Sequence, residues 1–193
     1  MSENETATPA DKVERAKESP RELDDLNGRA WCVGDGVSTD HICPNKYFEL
    51  RSDPPALAEH TLEHADLQTT DGPFMEAMEP GDFVVAGENF GQGSSREYAA
   101  LILELSGVSA VLAESFARIF YRNAVNLGLP VITCDTSSID ERDQLHADLS
   151  QGVVVNRAAD ERIDIQPLSD VMESLLTDGG LKEHVRKHGE LSL

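Results

Sequence analysis

Three short apolar segments, separated by two segments of helical composition, occupy the middle of the chain and constrain its fold more than any other feature. The apolar segments span residues 82–86, 108–112 and 129–133. Each helical segment between them ends at a glycine, Gly107 or Gly128, a residue that suits the left-handed position after a helix. Alternation of strands and helices is typical of parallel sheets with right-handed crossovers. The sequence therefore predicts an α/β fold.

A glycine-rich loop, residues 87–93, joins the first apolar segment to the first predicted helix. Ser94 and Glu97 have the spacing of a capping box, which predicts that Ser94 caps this helix. Glycines allow a ligand to approach the backbone, a helix start offers free N–H groups, and the Arg96 guanidinium matches a carboxylate. These features favour a site for a small anion. Taken alone, the loop is equally compatible with a glycine turn that binds no ligand and is followed by a serine-capped helix.

The same loop differs from three well-known functional loops. No Gly-Lys-Ser/Thr follows it, as a P-loop requires, and Arg96 stands where the dinucleotide fingerprint has its third glycine. The sequence around Ser94 does not fit the Gly-x-Ser-x-Gly elbow of hydrolases either. Nucleotide binding and the hydrolase elbow are therefore not indicated.

The segments after the central unit predict further elements. Residues 140–149 have the composition of a surface helix, residues 153–155 and 162–165 predict a closing pair of strands, and residues 168–176 have helical spacing. Within the central unit, Ser115 is expected to cap the second helix.

Charge limits the partners that a chain of 193 residues with a formal net charge of −20 can bind. Such a surface repels nucleic acid and anionic membranes. An acid-rich, lysine-poor surface also suits high salt, where screening removes most self-repulsion, so we predict a halophilic host. An ordinary acidic protein is the alternative, and a thermal melt from low to molar KCl separates the two.

The first part of the chain, residues 1–28, is polar and predicts a disordered or loosely ordered acidic leader before a domain of residues 29–193. It lacks the basic and apolar regions of a secretory signal, so a cytoplasmic location is expected. The cysteines Cys32, Cys43 and Cys134 show no CxxC spacing, which predicts no disulfide scaffold and no metal site within this chain.

Three segments together resemble the swivel domain of the aconitase superfamily: residues 34–42, 87–97 and 115–131. They occur in the order and spacing of that family, and the resemblance covers about residues 29–185. It implies a swivelling β/β/α domain that acts as the small subunit of a two-subunit hydro-lyase. It also implies a large-subunit partner that carries a [4Fe-4S] cluster, so that this chain needs no cofactor of its own.

The resemblance also assigns roles to residues. Ser94 matches the catalytic base, and Ser95 and Arg96 match residues that hold substrate carboxylates. Supporting positions are matched by Thr39, Asp40, His41, Gly91 and Gly93. Arg118 and Arg122, four residues apart, could reach an anion; pairing with Glu114 or with the partner subunit is the preferred interpretation.

Residues 44–51 resemble the segment that selects the substrate in this family. Arg51 or Lys46 could pair with a distal carboxylate of the substrate. Isopropylmalate, an intermediate of leucine biosynthesis, is the expected substrate. Because Glu49 fits neither the apolar nor the arginine version of the segment, homoaconitate or a citraconate/maleate-type substrate stays an alternative. A non-catalytic anion-binding or assembly module is the alternative of a different class.

Overall fold

The computed structural model describes residues 7–18, 22–63, 65, 72–94 and 96–189. In chain order the elements are α1 (Pro9–Glu18), β1 (Leu26–Cys32), α2 (Thr39–Ile42), the 3₁₀-helix η1 (Asn45–Ser52), α3 (Pro54–Ala58), α4 (Phe74–Ala77), β2 (Phe83–Ala86), α5 (Glu97–Leu105), β3 (Val111–Ala113), α6 (Arg118–Leu127), β4 (Val131–Thr133), β5 (Gln144–Asp148), β6 (Val153–Asn156), β7 (Glu161–Asp164), α7 (Asp170–Thr177) and α8 (Leu181–His188).

One seven-stranded sheet organises these elements, in the order β4-β3-β2-β1-β5-β6-β7. Strands β1 to β4 pair in parallel, with Val84 opposite Val111 and Val111 opposite Val131. Strand β5 pairs antiparallel with β1, and β6 and β7 continue antiparallel. The predicted α/β unit and the predicted closing pair of strands are both confirmed.

The two faces of the sheet contribute to two separate hydrophobic clusters. On β2 and β3, Val84 and Val111 belong to a cluster that includes buried residues of α5 and α6. Their neighbours Phe83 and Leu112 belong to a second cluster, which includes Leu145 of β5. This alternation follows from the two-residue period of a strand and leaves both faces of the parallel strands covered.

The prediction of a surface helix over residues 140–149 is wrong, because this segment contains β5. Leu145 and Ala147 are fully buried while their neighbours are more exposed, which is the alternation of a half-buried strand. Pairing of Leu26 with Ala147 and of Gly28 with Leu145 holds the strand in register. Tertiary pairing therefore overrides the helical composition of the segment.

Neither predicted serine cap is present. Helix α5 begins at Glu97, and the residue before it, Arg96, has extended backbone angles and makes no capping hydrogen bond. Helix α6 begins at Arg118 without a side-chain cap, and the Ser115 hydroxyl instead accepts a hydrogen bond of 2.8 Å from the Asn89 amide. The predicted helix ends are confirmed, since Gly107 and Gly128 both have positive φ angles.

Helix α1 and the start of β1 lie within the segment that the sequence predicts as a leader. Lys12 and Val13 of α1 are buried, and the Lys12 ammonium donates hydrogen bonds of 2.7 and 2.6 Å to the carbonyls of Glu76 and Met78. Burial lowers the pKa of Lys12. These contacts attach α1 to α4 and its C-terminal end.

No helix within the described part of the chain is long and apolar enough to span a membrane.

Candidate active-site cleft

A cleft of about 560 Å³ lies where the glycine-rich loop meets the start of α6. Part of its wall comes from the loop and the residues after it, and part comes from the first turns of α6. The lining residues are Thr39, Gly91, Gly93, Ser94, Arg96, Ala117, Arg118, Ile119, Phe120, Arg122 and Asn123. A concave site on which polar side chains converge is a usual form of a small-molecule site.

Backbone pairing joins the glycine-rich loop to the segment before α2. The Gly91 amide donates to the Val37 carbonyl at 2.7 Å, and the Thr39 amide donates to the Gln92 carbonyl at 2.8 Å. Gly91 has a φ of 78°, and a Cβ at this position would collide with the Phe120 ring. The loop therefore needs glycine both for its backbone conformation and for its contact with α6.

Arg96 and Asp40, 56 residues apart in sequence, form an ion pair beside the cleft. Arg96 Nη1 lies 2.5 Å from Asp40 Oδ1, and the Arg96 side chain is only 16% exposed. Asp40 takes one of the five N–H donors of the guanidinium. The Arg96 side chain makes no other hydrogen bond among the described residues, so the remaining guanidinium donors are available to a ligand that enters the cleft.

Ser94 lines the cleft, and its hydroxyl makes no hydrogen bond with any described residue. Its backbone carbonyl accepts a hydrogen bond of 3.2 Å from the Thr39 hydroxyl. The peptide of Ser94 is therefore held in place, while its side chain has no partner in the described part of the chain. The predicted neighbour Ser95 lies outside the described residues.

The other predicted supporting residue, His41, stabilises the start of α2. The Ser38 hydroxyl accepts a bond from the His41 amide, and His41 Nδ1 accepts one from the Ser38 amide, each at 3.2 Å. Together they form a capping box, which fixes the segment that carries Thr39 and Asp40. His41 itself does not line the cleft.

The two predicted distal cations lie on η1 and do not line the cleft. Lys46 Nζ is 2.9 Å from Glu63 Oε1, and the Arg51 guanidinium stacks over the Phe48 ring with its carbon 4.7 Å from the ring centre. The Phe48 ring also contacts Tyr98 at the start of α5, at a centroid distance of 6.2 Å. The segment predicted to select the substrate is thus anchored near the site without entering it.

Helix α6 contributes residues that the sequence did not assign to the site. Arg118 and Arg122 are exposed and line the cleft, with Ile119, 45% exposed, between them. Neither arginine forms a hydrogen bond or ion pair with a described residue, so the preferred pairing with Glu114 is not observed. The four-residue spacing of the two arginines indicated that they share a helix face. Sequence alone does not show that the start of α6 lies beside the glycine-rich loop in the fold.

Burial favours the protonated form of the cysteine thiols in this chain. Burial raises the pKa of the Cys32 and Cys134 thiols to about 12, and it also raises that of Cys43. Within the described ranges no cysteine belongs to a group of potential metal ligands.

Comparison with known proteins defines the class of protein first. Residues 58–136 match the family described as the aconitase C-terminal domain. A crystal structure of 3-isopropylmalate dehydratase from Methanocaldococcus jannaschii superposes with a TM-score of 0.78 and 38% identity, covering 86% of this chain and 95% of that one. The fold is therefore of the aconitase type.

Sequence relatives narrow this class to one family. The 3-isopropylmalate dehydratase small subunit 2 of Archaeoglobus fulgidus is 54% identical over 86% of this chain and 98% of its own length. Small subunit 1 of the Thermotoga maritima enzyme is 44% identical over 85% of this chain and 96% of its own length. The chain belongs to the family of 3-isopropylmalate dehydratase small subunits.

Proposed function

We propose that this chain, together with a large subunit, converts 2-isopropylmalate into 3-isopropylmalate by dehydration followed by rehydration, a step of leucine biosynthesis. The observation that carries the proposal is that Ser94, whose hydroxyl makes no hydrogen bond among the described residues, lines one cleft with Arg96. The names of the relatives support the same activity and imply the large subunit.

In this proposal Ser94 is the catalytic base. Its Oγ removes the proton from the carbon next to the one that bears the hydroxyl, and the hydroxyl leaves to give the alkene. Rehydration then adds the hydroxyl to the carbon that lost the proton, and Ser94 delivers the proton to the carbon that first bore the hydroxyl. The unbonded Ser94 side chain is compatible with this role, since a base must reach the substrate's proton.

A serine hydroxyl becomes a base near neutral pH only where positive potential stabilises its alkoxide. Asp40 partly offsets the charge of Arg96, because the two side chains form an ion pair. The start of α5 lies three residues after Ser94, and the uncapped start of α6 faces the same cleft. Helix starts carry partial positive charge, so both contribute to the potential at Ser94.

The remaining chemistry is assigned to the partner. Departure of the hydroxyl needs a Lewis acid, which we propose is a [4Fe-4S] cluster in the large subunit. The residues of this chain hold the carboxylates and move the proton. The free donors of Arg96 can bind one substrate carboxylate, and Ser95 is proposed to assist.

Two alternatives remain for experiment. Homoaconitate or a citraconate/maleate-type substrate would use the same base, and the choice depends on residues 44–51. A non-catalytic anion-binding module would keep the cleft but would not need a serine with a free hydroxyl beside an arginine.

The test is reconstitution with a large subunit of this family, followed by turnover assays. We expect the pair to convert 2-isopropylmalate faster than the alternative substrates, and the isolated chain to show no turnover because it lacks the Lewis acid. Turnover by the metal-free isolated chain, or none by the reconstituted pair, would contradict the proposal.

A further inference from the structure

Arg118 and Arg122, on the wall of the cleft formed by α6, have no ionic partner among the described residues. Four residues apart on a helix, they lie on the same face about one turn from each other. Both line the cleft, as do Ser94 and Arg96. Glu114, which is also exposed, forms no ion pair with either of them among the described residues.

The chain has a net charge of −20, and several of its cations have acidic partners, as Arg29 does with Asp82. Arg118 and Arg122 share with Arg51 the lack of such a partner among the described residues, but unlike Arg51 they line the cleft. Two like charges held one turn apart repel each other unless an anion lies between them. Their position on the cleft wall makes a ligand in the cleft the natural anion.

The charges in the cleft match a dicarboxylate better than a monocarboxylate. Arg96 is already paired with Asp40 and has donors left for one carboxylate. Arg118 and Arg122 provide a separate pair of guanidinium groups, each able to donate two parallel hydrogen bonds. The α6 N-terminus adds partial positive charge at the same wall.

We infer that Arg118 and Arg122 bind the second carboxylate of the substrate, while Arg96 binds the first. This inference rests on the proposed function. Ile119 also lines the cleft and adds an apolar surface to this wall. The pair are therefore specificity-determining residues, which distinguish a dicarboxylate from an acid with one carboxyl group.

The test uses Arg118→Gln and Arg122→Gln in the full chain, reconstituted with the large subunit. Three quantities are measured: KM, kcat and the affinity of the chain for the large subunit. We expect KM for the dicarboxylate to rise roughly 10- to 100-fold, because each change removes charge-assisted hydrogen bonds to one carboxylate. We expect kcat to fall less and subunit affinity to stay within about threefold.

Arg162→Gln is the matched control. Arg162 is an exposed arginine on β7, where it pairs with Asp164, and it does not line the cleft. Its removal changes the net charge equally, so an effect shared by all three variants is a long-range effect of charge. An effect confined to Arg118 and Arg122 supports direct binding.

Two results would overturn the inference: an unchanged KM in both variants, or a loss of subunit affinity as large as the rise in KM. The second result would assign the arginines to the large-subunit interface. Calorimetric titration of 2-isopropylmalate separates the inference from the proposed function. If the wild-type pair binds 2-isopropylmalate without turnover, the variants are compared by Kd instead of KM. If the wild-type pair does not bind it, both the proposed function and the role of the two arginines are refuted.

Discussion

Two arginine–aspartate ion pairs in this molecule have opposite roles. Arg29 and Asp82 lie 2.9 Å apart at the edge of the core, and the Asp82 side chain is 6% exposed. Arg96 and Asp40 lie 2.5 Å apart at the cleft, and the Asp40 side chain is 48% exposed. The residue types and the contact are the same, so the difference lies in what surrounds each pair.

The carboxylate of Asp82 is fully used by the fold. It accepts hydrogen bonds from the amides of Arg29 and Glu79, both at 2.9 Å, and from Trp31 Nε1 at 2.8 Å. The Arg96 guanidinium instead has a single bonded partner, Asp40, among the described residues and keeps most of its donors. A saturated buried pair fixes a structure, whereas an unsaturated pair at a cleft is prepared for a ligand.

The largest effect is expected on the cleft side of this comparison, for Ser94→Ala. If Ser94 is the base, kcat should fall by about 10² to 10⁴, the usual contribution of acid–base catalysis. The melting temperature should not change, because Ser94 does not cap α5. Both quantities are measured on the reconstituted pair.

Ser169→Ala is the matched control, since the Ser169 hydroxyl does cap a helix by accepting from the Met172 amide at 3.3 Å. Its loss should lower stability by about 1 kcal/mol and leave kcat unchanged. A Ser94→Ala variant that behaved like Ser169→Ala would contradict the role of Ser94 as the base.

On the structural side, Asp82→Ala should lower the free energy of unfolding by about 3–5 kcal/mol, because it leaves the buried partners of one carboxylate without an acceptor. Denaturant titration measures this loss. Asp40→Ala removes the exposed carboxylate of the other pair, and its stability loss should stay below about 1 kcal/mol. Equal losses in the two variants would remove the distinction between the pairs.

Arginine-to-lysine changes sharpen the comparison further. Arg96→Lys keeps the charge but loses the planar fork that holds a carboxylate, so kcat/KM should fall by an amount equal to about 2–4 kcal/mol. Arg29→Lys is the matched change in the structural pair, and it should leave kcat/KM near the wild-type value. A wild-type kcat/KM for Arg96→Lys would exclude this residue from the site.

The difference between the regions also determines what sequence could predict. The parallel strands β2 to β4 are continuous apolar segments with glycines at the helix ends, and these local signals survive in the structure. Strand β5 was missed because its identity depends on pairing with β1, more than a hundred residues earlier. The starts of α5 and α6 were missed because the loop contacts, rather than serine caps, determine where each helix begins.

The sequence predicted only those residues of the candidate site that belong to a recognisable motif. The loop with Ser94 and Arg96 was found through its glycines and the family resemblance, and the structure places both residues in one cleft. The pairing of Arg96 with Asp40 and the position of Arg118 and Arg122 follow from the packing of α2, the loop and α6. No local pattern encodes those distances.

The smallest expected effect concerns Glu63, the ion-pair partner of Lys46. It tests whether Lys46 stabilises the fold or binds the substrate. Burial alone would raise the pKa of Glu63, but hydrogen bonds from Lys46, Tyr47 and His60, each 2.9 Å long, outweigh it and lower the pKa to about 2. The ionised Glu63 carboxylate therefore stabilises the fold at pH values above its ordinary pKa of 4.5. This stabilisation is lost as the pH falls toward the folded-state pKa of about 2. The difference in melting temperature between wild type and Glu63→Gln should therefore shrink from about pH 6 to about pH 3. If this difference did not change with pH, the charge of the Glu63 carboxylate would not be the source of the stabilisation. A rise in KM for Lys46→Met would show that Lys46 binds the substrate.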